Sequence, residues 1–174
     1  MSKTFVGLLI ATKLKVVENG EEEIVLLLQR RGKINTDSDY GFKWQSFSGL
    51  CEITSYGKAS GTETPEQALE REIKEELGLE ALNEIKENKL TKLYSLTEKD
   101  GDHVHVWGVL LNKDILRKIK LDISTGGIEI LRRSDLSRVR YAKYNDEKQI
   151  VTDLNDIVIF EIPKDILLSG FDLN

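Results

Sequence analysis

The amino-acid sequence predicts an α/β domain layered around a mixed sheet. Three observations carry this expectation: apolar β-rich runs lie on both sides of a single helix-patterned segment at 64–77, and turn-forming residues separate the runs. At 174 residues, with 40% apolar and 32% charged side chains, the chain can bury a core without covalent staples. No repeat, low-complexity tract or linker divides it, so one domain over 1–174 is expected.

The elements follow in order. Residues 5–17 and 24–29 are β-rich and flank Asn19-Gly20, a pair that tolerates the positive φ angles of a tight hairpin. Residues 30–43 hold Gly32, Asn35, Asp37, Ser38, Asp39 and Gly41 and read as a long surface loop. A short strand is expected at 44–53 and a turn-rich loop at 55–62. The helix at 64–77 has Thr62 or Thr64 as its N-cap, Pro65 in its first turn and Gly78 to end it. Residues 92–97 and 103–111 form a second antiparallel pair around Glu98-Lys99-Asp100-Gly101-Asp102. Short strands at 128–131 and 157–162 alternate with helix starts at 134–139 and 163–168, led by Ser134 and Pro163.

Composition excludes some functions. A net charge of −5 argues against a protein that coats extended nucleic acid, which calls for a basic surface. The lone Cys51 rules out an internal disulfide and a cysteine-rich zinc cluster, and makes a reducing compartment, the cytoplasm, the expected address. The first apolar stretch, 4–12, is too short and too β-like for an export signal or a membrane span, so neither is expected.

The chemistry concentrates at 57–79, GKASGTETPEQALEREIKEELGL. At about 100° per residue, Glu72, Glu75 and Glu76 fall within roughly a third of the helix circumference. Leu69, Ile73 and Leu77 form a neighbouring apolar stripe that can pin the helix to a core. Like charges at i,i+4 cost about 0.2–0.5 kcal/mol per exposed pair, a penalty a divalent cation would remove. Clustered carboxylates suit Mg²⁺, which keeps part of its hydration and bridges to substrate phosphates. Glu-rich helices with interspersed lysines are ordinarily solvated faces, so the carboxylates alone do not decide the matter.

Spacing decides more. Gly57, Glu63, Arg71-Glu72-Ile73, Glu75-Glu76, Gly78 and Leu79 fill every fixed position of a pattern that resembles the Nudix box. Seven fixed identities at roughly one chance in ten each arise by composition in on the order of 10⁻⁷ of windows. The resemblance implies a Nudix α/β/α sandwich. It also implies Mg²⁺-dependent hydrolysis, with Mn²⁺ as the alternative ion, of a pyrophosphate bond in a nucleoside diphosphate linked to another moiety. Under it Glu75 and Glu76 are metal ligands, Glu72 is a ligand or the general base, and Arg71 orients the carboxylates. Glu63 supports the metal shell or a water, and Gly57 and Gly78 supply backbone conformations that a Cβ would oppose. A further acidic ligand from outside the box is implied; Glu129 is the candidate, with Glu98 and Asp122 as competitors. The chain departs from the family in placing 50–56 between Gly49 and the box, which predicts a lengthened phosphate-side loop.

For substrate, Tyr40, Phe42 and Trp44 can stack on a base, and Arg30, Arg31 and Lys33 can meet phosphates, although aromatics beside strands are more often core. His103 and His105 share one strand face without any zinc pattern. The expected partner is a small-molecule nucleotide, and the sequence leaves room for a homodimer. Two rival readings stand beside hydrolysis. One is an enzyme like isopentenyl diphosphate isomerase on the same scaffold, suggested by LLLQRR at 26–31, Trp44, Gly49 and Cys51. The other is a non-catalytic nucleotide-binding Nudix module, which has no need of three crowded carboxylates.

Overall fold

The structure, a computed structural model, describes residues 2–31, 50–51, 53, 55–122, 125–142 and 155–174. In chain order the strands are β1 (Thr4–Leu14), β2 (Glu23–Arg31), β3 (Leu50–Cys51), β4 (Ser55–Lys58), β5 (Thr91–Thr97), β6 (His103–Leu111), β7 (Thr125–Arg132), β8 (Val139–Ala142) and β9 (Ile157–Phe160). The helices are α1 (Pro65–Leu77), α2 (Leu79–Lys86), α3 (Ile115–Lys118) and α4 (Lys164–Phe171), with a 3₁₀ turn at Arg133–Arg138. The main sheet runs β5-β6-β1-β2-β7 with β4 also on β1, and a second sheet runs β3-β9-β8. β1 lies parallel to β6 and antiparallel to β2 and β4, so the main sheet is mixed as expected.

β1 is apolar without alternation because both of its faces are covered. Val6, Leu8 and Ile10 pack with Val25 and Leu27 against Ala68, Leu69, Ile73 and Leu77 of α1 and Ala81, Leu82 and Ile85 of α2. Leu9, Ala11, Leu26 and Leu28 face the other way, onto Ile157 and Ile159 of β9 and Ile166, Leu167 and Phe171 of α4. One layer of helices therefore covers one face, and the small sheet with α4 covers the other.

Several elements depart from expectation. β1 stops at Leu14, where its pairing with β2 ends at Glu23. Residues 55–58 form a strand, not a turn-rich loop, because Phe5 to Leu8 of β1 offer an edge that β2 leaves open. α2 follows α1 after one residue: Gly78, at φ 91°, donates its N–H to the Lys74 carbonyl and accepts from Leu82. The segment after Ser134 is a 3₁₀ turn that feeds β8, not the start of an α-helix.

Thr12 continues the helix-facing series of β1, is fully buried, and among the described residues its hydroxyl has no hydrogen-bond partner. An unpaired buried hydroxyl costs about 1–3 kcal/mol, and valine has nearly the same shape. Thr12→Val is therefore expected to raise stability by about 1 kcal/mol. A denaturant midpoint at or below that of the parent protein would refute this.

Candidate active site

The acidic helix is placed by its ends and its buried stripe. Thr64, not Thr62, is the N-cap: its hydroxyl accepts from Gln67 N–H at 3.2 Å, and the Gln67 side chain accepts from Thr64 N–H at 3.0 Å. With Ala68, Leu69, Ile73 and Leu77 buried, rotation about the helix axis is fixed. The carboxylates therefore stand to one side of the core contact.

Arg71 ties that side together. Its Nε donates to Glu63 Oε1 at 2.8 Å and its Nη1 to Glu72 Oε1 at 2.7 Å, with a longer contact to Glu75 Oε2 at 3.4 Å. Its Nη2 reaches the Lys58 carbonyl at 2.9 Å and Glu63 Oε2 at 3.2 Å. One guanidinium thus spans the end of β4, the loop and the helix, a use of its planar fork that lysine does not allow. Glu63 also accepts from Ser60 N–H at 3.2 Å, so it closes the loop onto Arg71. These bonds to Arg71 and Ser60 hold its carboxyl below the usual range.

Glu72 differs from its neighbours. Its side chain is 14% exposed, against 59% for Glu75. Burial pushes its carboxyl pKa up, with Arg71 opposing, so the fold holds an anion it has not fully compensated. Gly57 makes this position possible by the absence of a side chain. A Cβ there would lie 1.9 Å from Glu72 Cδ and 2.1 Å from its Oε1. The reason for glycine is this close approach, not the unusual backbone angle expected from sequence.

Glu76 is held from β2 by Gln29, a residue the sequence reading passed over. Gln29 is buried, and its Nε2 donates to Glu76 Oε2 and to the Ile53 carbonyl, both at 3.2 Å. The available signal was a polar side chain ending the apolar run IVLLL, which needs a partner wherever it is buried.

The structure brings Glu63, Arg71, Glu72, Glu75 and Gly57 together, with Glu76 on the same helix beside Gln29. It does not bring Glu129 to them. Glu129 pairs in register with Leu28, whose side chain lies on the face away from α1, and there it forms an ion pair with Arg30. Of the competing carboxylates, Asp122 is joined to α1 through its backbone N–H, 3.3 Å from the Glu76 carbonyl, while Glu98 sits in the β5–β6 turn. Trp44, Lys33, Tyr40, Phe42 and Gly49 lie outside the described residues, and Arg31 is described only as the last residue of β2. A groove of about 880 Å³ runs along the other flank of α1, past Glu63, Gln67, Arg71 and Lys74, without reaching Glu72, Glu75 or Glu76.

The NUDIX domain family model matches residues 13–151, a span that contains this entire assembly. The chain belongs to the Nudix family. As a Nudix hydrolase it acts on phosphoric acid anhydrides, a class of enzyme that generally uses divalent metal ions. The fold is similar to that of a mutT/nudix family protein from Listeria innocua, at TM-score 0.50 and 16% identity over 77% of this chain and 80% of that one. It is also similar to the NUDIX domain of Shewanella oneidensis NrtR solved with ADP ribose, at 0.51 and 15% over 86% and 83%. A third likeness is to DR0079 from Deinococcus radiodurans, at 0.51 and 19% over 77% and 69%. At these identities the likeness is one of fold. No curated protein sequence matches this Nudix chain. None of its described helices is long and apolar enough to cross a membrane.

Among the described residues, no three His, Cys, Asp or Glu side chains converge as they stand into a metal shell. The donor chemistry of α1 nevertheless suits a hard divalent ion. Glu72, Glu75 and Glu76 offer only carboxylate oxygens, and Glu72 is a semi-buried anion in a cradle that a Cβ on Gly57 would fill.

Proposed function

We propose that this Nudix domain hydrolyses a pyrophosphate bond in a nucleoside diphosphate linked to another moiety, with Mg²⁺ held by Glu72, Glu75 and Glu76. The observation that carries this reading is the position of Glu72: a largely buried carboxylate, seated against Gly57 and bridged by Arg71 to Glu63. A charged group kept out of water at this cost to the fold has a use beyond solubility. When bound, the ion would neutralise charge on the bridging phosphates and acidify a water.

The chain's own residues do the rest. Arg71 fixes the Glu72 carboxylate and keeps Glu63 in the loop, so neither is free to swing into solvent. Burial raises the proton affinity of Glu72 in the metal-free chain, and Glu72 serves either as a ligand of the ion or as the group that accepts the proton of the attacking water. Gln29 keeps Glu76 turned toward the sheet. Arg30, Arg31, Trp44 and Gly57 remain our candidates for substrate contacts. We take 1–174 as one domain, and the cytoplasm as its location.

The test is a panel of ADP-ribose, dinucleoside polyphosphates, nucleotide sugars, nucleoside triphosphates and isopentenyl diphosphate with Mg²⁺, read by mass in ¹⁸O-water. Hydrolysis of a nucleoside diphosphate derivative, with label in one phosphate, is the expected result. Isomer formation without phosphate release, or binding without turnover, would replace the reading. Glu76→Gln is expected to lower kcat by about 10²-fold with the fold intact, as loss of one ligand of a metal should. Unchanged turnover in that variant would remove Glu76 from the set.

A further inference from the structure

The chain's two histidines lie apart from the acidic face of α1 and take no part in the proposed hydrolysis. We propose that His103 and His105 form a two-imidazole site for a borderline divalent transition-metal ion, such as Zn²⁺, Ni²⁺ or Cu²⁺. β6 places them two residues apart on one face, so their Cα atoms are roughly 6.8 Å apart. Bonds of about 2.1 Å at a tetrahedral ion need imidazole nitrogens roughly 3.4 Å apart, a convergence that two rings rising from one strand face can reach.

The rings are already oriented. In the β5–β6 ladder Ser95 pairs with His105 and Thr97 with His103. The Ser95 hydroxyl shares a hydrogen bond with His105 Nδ1 at 3.1 Å, and the Thr97 hydroxyl shares one with His103 Nδ1 at 3.0 Å. When Nδ1–H donates to each hydroxyl oxygen, Nε2 carries the lone pair that a metal requires. Among the described residues neither Nε2 has a hydrogen-bond partner. Two hydroxyls backing two imidazoles in register is the arrangement of a metal ligand held by its other ring nitrogen.

The surroundings leave the His105 ring without its second proton, while the nearby Lys92 charge works against any cation. Burial and Lys92 hold the His105 imidazole toward its neutral form, the form that ligates. The charge of Glu66, in the first turn of α1, acts on the same ring in the opposite sense. The site is separate from the hydrolytic face: His105, Val6 and Gly57 lie in one row across the sheet, so His105 stands about 10 Å from the glycine that seats Glu72. Imidazole nitrogens select borderline ions and leave Mg²⁺ to carboxylates, so the two centres take different metals.

The test titrates the full chain with Zn²⁺ by calorimetry, and with Ni²⁺ and Cu²⁺ by quenching of Trp107, whose ring lies 5.9 Å from that of His105. Excess Mg²⁺ keeps the carboxylates of α1 from contributing. One saturable ion per chain is expected, with Cu²⁺ the tightest. His103→Ala and His105→Ala should each weaken binding by at least about tenfold. Ser95→Ala and Thr97→Ala, which keep both imidazoles, should weaken it by about 10-fold or somewhat less. No saturable uptake, or uptake that survives in the double histidine variant, overturns the proposal. If that variant does not fold, unchanged affinity in both hydroxyl variants overturns it instead. Failure here leaves the hydrolytic reading untouched, since its own readout is product formation in Mg²⁺.

Discussion

Gly57→Ala is expected to lower kcat by on the order of 10²-fold or more while leaving the fold nearly as stable as before. The two effects separate because of what the new methyl group would meet. Its nearest neighbours are Glu72 Cδ, Oε1 and Cγ, at 1.9, 2.1 and 2.4 Å, all in one flexible side chain. Glu72 can escape by rotating away, so the backbone pairing of Gly57 with Val6 survives. The carboxylate, however, loses its place beside Arg71 Nη1 and becomes a solvated glutamate. A displacement of about 1 Å in a reacting group can cost 10²-fold, and this one is larger. Parallel thermal melts and single-turnover rates check the claim. A large fall in melting temperature with turnover preserved would mean that glycine serves the fold and not the carboxylate.

The features legible in the sequence were those fixed locally. α1 announced itself through its cap, its proline, its four-residue apolar spacing and its closing glycine, and these are determined within a few residues of one another. β6 and its hairpin partner were legible for the same reason. β4 and β8 were not, because each is a strand only by virtue of a neighbour distant in sequence: β1 for one and β9 for the other. The site divides in the same way. Glu72, Glu75 and Glu76 could be grouped from helical spacing, and Arg71 and Glu63 joined them through the resemblance to the Nudix box. The face on which Glu129 stands depends on the register of β7 against β2, and a shift of one residue would reverse it. Gln29 shows the same limit from the other direction: its partner lies 47 residues away.

Glu72→Gln is expected to give the largest loss of activity, at least about 10³-fold in kcat, in a protein no less stable than the parent at neutral pH. Glutamine keeps the shape and can still accept from Arg71, but it carries no charge and accepts no proton. The stability half follows from the raised pKa of Glu72. Between the ordinary carboxylate pKa and the raised one, the folded chain holds a proton that the unfolded chain has released, so folding stability falls as pH rises through that window. The contribution is fully present below the ordinary carboxylate range and is lost as pH climbs through the raised value. The glutamine variant does not titrate there. In the presence of EDTA its melting temperature relative to the parent should therefore be more favourable at pH 7 than at pH 4. Mg²⁺ should raise the melting temperature of the parent more than that of the variant, because a ligand that binds only the folded state stabilises it in proportion to its affinity. A variant that melts well below the parent at pH 7 and gains as much from Mg²⁺ would mean that Glu72 is a structural partner of Arg71 and that the ion is held elsewhere.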